Sequence, residues 1–223
     1  MPLAQPCPVA QPVPASRTLL LIRHAAVEGG DRVLWGRTPG VRLSRDGRQA
    51  AVRLAQRLAT RGFRQIVTSP QRRAIETAAV LASATNAALR VDPRLDEFDF
   101  GEWTGRGFTE LQRDGRWLRF NRERADGAAP GGETMAAFAA RVEDGLRSAL
   151  HEHEPIVALV THAEVIRTAL LAHGGRSLDE WSTIQVAPAS VTEIRGADPD
   201  RVPGVVGAKP PTHPATTEGG MAG

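Results

Sequence analysis

The chain alternates between short unbroken apolar runs and longer stretches in which apolar residues recur every three or four positions. The runs Leu19–Ile22, Ile66–Thr68, Leu89–Val91 and Ile156–Val160 read as strands, and Ser190–Ile194 as a last one. Between them lie helical patterns. Ala50, Ala51, Leu54 and Leu58 share one face of a helix capped by Ser44 and stopped before Gly62. Ser69-Pro70 predicts the cap and first turn of another, with Ala74, Ile75, Ala78 and Ala79 facing inward. Met135, Phe138, Val142, Leu146 and Leu150 form the clearest amphipathic helix. Val165, Ile166, Ala169 and Leu170 form one more, ended by Gly174-Gly175. Strands alternating with helices predict an α/β fold, a three-layer α/β/α sandwich about a mostly parallel sheet. The order of strands in that sheet is not legible from the pattern.

Three of the runs end in the same chemistry. Leu19 to Ile22 delivers Arg23-His24, Gln65 to Pro70 runs into Arg72-Arg73, and Ile156 to Thr161 ends at His162. Parallel α/β sheets bind ligands beyond the carboxyl ends of their strands. Two arginines and two histidines at three such ends predict one basic pocket suited to phosphoryl transfer.

The remaining composition narrows the reading. The 223 residues suffice for one domain with a substantial core. Segment 1–16 carries five prolines and segment 196–223 is rich in Pro, Gly, Thr and Ala, so both are expected to be tails flanking a single domain over 17–195. Net charge is only +3, although the pI is about 10.2, because Lys209 is the one lysine and arginine does not titrate at ordinary pH. No basic block or aromatic platform of nucleic-acid type is present, and no apolar run approaches the length of a membrane span. Cys7 is the only cysteine, which excludes an internal disulfide, and the start lacks the pattern of a secretory signal. A cytoplasmic protein that binds neither nucleic acid nor membrane is expected. The oligomeric state cannot be read.

The chemistry-bearing residues also carry a resemblance. Arg23-His24, Gly36-Arg37, Leu43-Ser44 with Gly47, and Ser69-Pro70-Gln71-Arg72-Arg73 lead the series. They are followed by Leu95-Asp96-Glu97-Phe98 through Gly105, by Pro130-Gly131-Gly132-Glu133-Thr134, and by Thr161-His162-Ala163. Together they resemble the histidine phosphatase superfamily, in its phosphoglycerate-mutase-like branch, and most closely its short bacterial-type phosphatases and phosphomutases. The resemblance implies that His24 is the nucleophile, forming a phosphohistidine, and that Arg23, Arg73 and His162 hold the phosphoryl group. Glu97 matches the proton donor, with Asp96, Asp99 and Glu102 close enough to compete for that role. Arg37 is a further candidate for the substrate phosphate. Trp35 and Trp103 read as packing or pocket-wall residues. No metal-ligand spacing is present, and neither metal nor cofactor is expected.

The departures are local. Ala25-Ala26 follow His24 where the family often has glycine and a polar residue, and Glu164 brings a carboxylate towards the pocket rim. The segment between Gly105 and Pro130 is short and lacks tyrosine, unlike the long insertion of cofactor-dependent mutases. It carries Arg106, Arg113, Arg116, Arg119, Arg122 and Arg124, read here as mainly a solvated helix face. The expected function is metal-independent hydrolysis of a small phosphomonoester through phosphohistidine. The alternatives are a phosphoglycerate-mutase-type phosphomutase and a non-catalytic module that binds a phosphorylated ligand.

Overall fold

The structure, a computed structural model, describes residues 17–151 and 154–197; segments 1–16 and 198–223, expected as tails, lie outside the described residues. Five strands form one sheet in the order β3-β2-β4-β1-β5. They are β1 (Arg17–Arg23), β2 (Gln65–Thr68), β3 (Ala88–Val91), β4 (Ile156–Thr161) and β5 (Val191–Ala197). The first four run parallel, and β5 pairs antiparallel with β1. The final strand thus extends past the expected Ile194 to Ala197.

Period-two alternation splits the apolar runs between two cores. Leu20, Ile22, Ile66, Ala158 and Val160 face α1 (Arg45–Leu58) and α2 (Arg72–Thr85). Leu19, Leu21, Val67, Val157 and Leu159 face α5 (Met135–His151) and α6 (Ala163–His173). Because helices cover both faces, the central strands bury both sets of side chains and read as continuous hydrophobic runs. Two short helices, α3 (Phe108–Leu111) and α4 (Gly115–Arg122), extend the second core. There Phe98, Phe100, Trp103, Trp117 and Phe120 pack edge-on or tilted, with ring centroids 4.9–6.1 Å apart.

Two helix details differ from the sequence pattern. The second helix begins at Arg72 with Gln71 at its N-cap, because the Ser69 hydroxyl is engaged by His162 and by the Gln71 amide. Its inward face carries Arg73, Ala74, Thr77, Ala78 and Leu81, whereas Ala79 is exposed and Ile75 half-buried. A simple apolar stripe misplaces this face because a buried arginine occupies it.

At α1 the expectation holds. The Ser44 hydroxyl accepts from the Gly47 amide at 2.9 Å. The same serine's amide donates to the Ala26 carbonyl at 3.0 Å, docking the start of α1 on the loop after β1. Gly47 makes this approach possible, since a Cβ there would collide with the Ala26 carbonyl. A Gly47→Ala protein should therefore lose about 1–3 kcal/mol of stability, the usual cost of overpacking. Thermal unfolding should show a melting temperature lower by several degrees, whereas an unchanged value would mean that the loop yields freely.

Candidate active site

Adjacent strand ends bring the predicted residues together. The His24 amide donates to the Thr161 carbonyl at 2.9 Å, and the Ser69 amide donates to the Val160 carbonyl at 2.9 Å. This pairing sets the ends of β1, β4 and β2 side by side. His24 leaves β1, His162 caps α6 after β4, and Arg73 sits in the first turn of α2 after β2. All three are buried, with exposures of 6%, 0% and 2%.

Arg73 links them. Its Nε donates to His24 Nε2 at 3.3 Å. Its Nη2 donates to the Gly36 carbonyl at 2.6 Å and lies 3.3 Å from His162 Nδ1. A guanidinium only donates, so both imidazole nitrogens facing it accept. The proton of His24 therefore sits on Nδ1, which donates to the Ala25 carbonyl at 2.9 Å. The proton of His162 sits on Nε2, which donates to the Ser69 hydroxyl at 2.7 Å. The two rings meet edge to face with centroids 5.1 Å apart. Thr77 completes the support, accepting from the Ala25 amide and donating to the Arg73 carbonyl.

Electrostatics keep both histidines neutral. Burial, reinforced by the Arg73 charge and opposed by the Ala25 hydrogen bond, lowers the His24 pKa to about 3. Burial, Arg73 and His24 likewise hold His162 well below the ordinary histidine range. Burial also lowers the guanidinium pKa values of Arg23 and Arg73, with Glu97 opposing the shift, yet arginine stays charged at neutral pH. Arg23 Nη1 donates to the Val186 carbonyl at 2.6 Å. Arg23 Nε and Arg73 Nη1 are buried and have no hydrogen-bond partner among the described residues. Two cations with unused, buried donors are an anion site in waiting.

Glu97 completes the group. Its Oε2 lies 3.9 Å from His162 Nδ1, and its Oε1 accepts from the Phe98 amide at 3.0 Å. Burial and the nearby Glu164 carboxylate push its pKa up to about 7, against the pull of Arg73 and Arg23. The backbone that carries it is tightly held. Arg141 donates through Nη1 to the Arg94 and Asp96 carbonyls and through Nη2 to the Glu97 carbonyl. Glu133 accepts from Arg141 at 2.9 Å and from the Asp99 amide at 3.2 Å.

Arg37 is the one predicted residue kept apart. Its Nε donates to the Glu97 carbonyl at 2.8 Å and its Nη2 to Glu133 at 3.0 Å, with Asp96 and Asp99 each 3.6 Å away. Like the fully buried His162, it does not line the cavity that holds His24. Its charge is spent behind the acidic loop, where four backbone and carboxylate oxygens compete for it. Trp35 lines the cavity, and Trp103 is buried in the core. Of the competing carboxylates, neither Asp96, Asp99 nor Glu102 lines the cavity.

Several site features escaped the sequence reading. Arg124 is 1% exposed and lines the cavity, whereas Arg106, Arg116 and Arg119 pair at the surface with Glu110, Glu102 and Glu123 as expected. Glu164 pairs with Arg124 at 2.7 Å and with Arg167 at 3.0 Å. Ser69, Thr77 and Arg141 gave no signal beyond their motifs, because their roles depend on which strands adjoin.

Comparisons with known proteins identify the family. The family model of the histidine phosphatase superfamily, branch 1, matches residues 19–203, and the chain belongs to that superfamily. It is 31% identical over 185 residues to a glucosyl-3-phosphoglycerate phosphatase of Mycolicibacterium vanbaalenii, covering 75% of this chain and 79% of the relative. A solved mycobacterial glucosyl-3-phosphoglycerate phosphatase in complex with inorganic phosphate is similar at a TM-score of 0.69 and 31% identity. That match covers 79% of this chain and 88% of the other. YhfR of Bacillus stearothermophilus is similar at a TM-score of 0.73 and 29% identity, covering 79% and 90%.

The proton assignments are open to measurement. A histidine with a pKa near 3 binds no proton between pH 5 and 8, whereas an ordinary one titrates near 6.5. The ring-nitrogen NMR signals of His24 should hold the neutral Nδ1–H pattern throughout that interval. Movement with a midpoint near 6.5 would contradict the geometry.

Proposed function

We propose that the protein is a phosphomonoesterase that works through a phosphohistidine on His24, without a metal ion. The observation that carries this reading is a neutral imidazole whose Nδ1 proton is held by the Ala25 carbonyl, beside buried Arg73 and half-buried Arg23, each with a buried donor that has no partner among the described residues. Such an imidazole offers the Nε2 lone pair as a nucleophile.

In the first step His24 Nε2 attacks phosphorus, and an N–P bond forms as the ester P–O bond breaks. Charge spreads over the three equatorial oxygens, which Arg23 and Arg73 are placed to stabilise; His162 joins them only if its proton moves to Nδ1, with the Ser69 hydroxyl then donating to Nε2. A phosphoryl oxygen takes over the donor that Arg73 Nε lends to His24 in the free protein. Glu97 gives its proton to the leaving oxygen, and the alcohol departs. Water then attacks phosphorus, Glu97 takes up the proton, and inorganic phosphate leaves with His24 restored. A carboxyl pKa of about 7 suits a group that must first give and then accept a proton near neutral pH. Small phosphomonoesters are the substrates in this reading, in line with the phosphatase names of the relatives.

Purified wild type should hydrolyse 4-nitrophenyl phosphate in EDTA, and His24→Ala should lower kcat by about 10³-fold or more. Undiminished hydrolysis by His24→Ala, or its loss on chelation, would sink the proposal. Glu97→Gln should cost about 10²–10⁴-fold with an alkyl ester, whose alkoxide needs a proton, and much less with 4-nitrophenyl phosphate. The same substitution should remove a decline in wild-type kcat/KM above about pH 7. Equal losses with both esters would assign the proton transfer elsewhere.

A further inference from the structure

The cavity that reaches His24 is far larger than a phosphoryl group needs. Its volume is about 510 Å³, within the range of sites that enclose a whole small molecule. Of the four tryptophans and six phenylalanines in the chain, five side chains line this one cavity: Trp35, Phe100, Phe108, Trp117 and Trp181. Phe100 and Trp117 belong to the buried core and Trp181 carries Arg124 and Arg167 over its ring, so Trp35 and Phe108 are the faces that a flat or ring-shaped group would meet.

The other charges that line the cavity point to an uncharged one. Arg124 and Arg167 both bind Glu164, and both lie over the Trp181 ring, at 3.8 and 4.9 Å from its centroid. Arg124 also donates to Asn121, and Arg167 to the Ile184 carbonyl. Their charge is thus largely spent within the protein, unlike that of Arg23 and Arg73. The Glu164 and Asp31 carboxylates, which also line the cavity, oppose a second anionic group. What remains open is the buried Nε–H of Arg124, which has no hydrogen-bond partner among the described residues. One neutral acceptor, a hydroxyl or a ring nitrogen, would satisfy it.

We infer that the part of the cavity not occupied by the phosphoryl group is a leaving-group subsite that selects phosphomonoesters of uncharged, ring-bearing alcohols, such as a sugar or a nucleoside, over small or carboxylated ones. The inference rests on the phosphatase reading of the same cavity. Trp35 and Phe108 are half-buried aromatic residues of its wall. Trp35 is held in place by donating from Nε1 to the Gly30 carbonyl at 2.8 Å.

The test uses four esters with the same primary-alcohol linkage: adenosine 5′-monophosphate, glucose 6-phosphate, glycerol 3-phosphate and 3-phosphoglycerate. At least one ring ester should exceed glycerol 3-phosphate in kcat/KM by about tenfold or more, the scale of one good ring contact. 3-Phosphoglycerate should be the poorest. The identity of the better ring ester distinguishes a sugar from a nucleoside site. Trp35→Ala or Phe108→Ala should shrink the preference for the ring ester, mainly through KM, and Trp35→Phe should restore most of it. Wild-type rates with glycerol 3-phosphate or 3-phosphoglycerate that match or exceed both ring esters would overturn the inference, as would an unchanged preference in both truncated variants. If His24→Ala hydrolyses the esters as well as wild type does, the phosphatase reading itself fails; a His24-dependent enzyme without ring preference loses only the subsite.

Discussion

The buried guanidinium of Arg73 is the contact on which the site depends. It touches His24, His162 and the Gly36 carbonyl, and so joins the ends of β1 and β4 to the loop that follows His24. A charge at 2% exposure is costly unless its donors are used, and one of them, Nη1, is not. The fold tolerates that cost because α2 and the sheet fix the arginine from behind, with Thr77 bonded to its carbonyl. The same charge suppresses protonation of both imidazoles. One residue thus contacts both histidines, fixes their tautomers and adds to burial in keeping them neutral.

A second arrangement acts on the acid. Glu97 keeps a raised pKa because it is buried and faces Glu164, not because it lacks cations nearby. Its backbone is gripped by Arg141 and Arg37, which share Glu133. The cations around this loop therefore divide their work. Arg141 and Arg37 hold the chain, while Arg23 and Arg73 leave donors free on the cavity side. Gly101 and Gly132 allow the two segments of the clamp to meet, since a Cβ at Gly132 would strike the Asp99 carbonyl and one at Gly101 the Pro130 carbonyl. The Gly-Gly-Glu motif and the acidic motif are thus two halves of one support.

Much of this was legible in the sequence, and what was not has a physical reason. Strand runs buried on both faces announced themselves by unbroken hydrophobicity, and the residues just past three of them meet in one cluster. For Arg37 the sequence is silent, because a loop arginine after glycine looks the same whether it faces a ligand or, as in this structure, four local oxygens. Ser69 misled because a serine before proline has the sequence signature of a helix cap, and only the adjacency of β2 and β4 gives it His162 as a partner. Arg124 was hidden among six arginines in one short segment. Its burial follows from stacking on Phe120 and on Trp181, which lies far along the chain from both, and no local pattern encodes that contact. Strand order, which decides all three, is a long-range property of the sheet.

The central claim is that His24 itself carries the phosphoryl group. The most direct measurement is to mix the protein with 4-nitrophenyl phosphate, quench in base within a turnover, and map phosphate by peptide mass spectrometry. The account predicts a phosphoryl group on His24 that survives base and is lost in acid. An acid-stable phosphate on another residue, or hydrolysis with no phosphorylated peptide at any quench time, would contradict it.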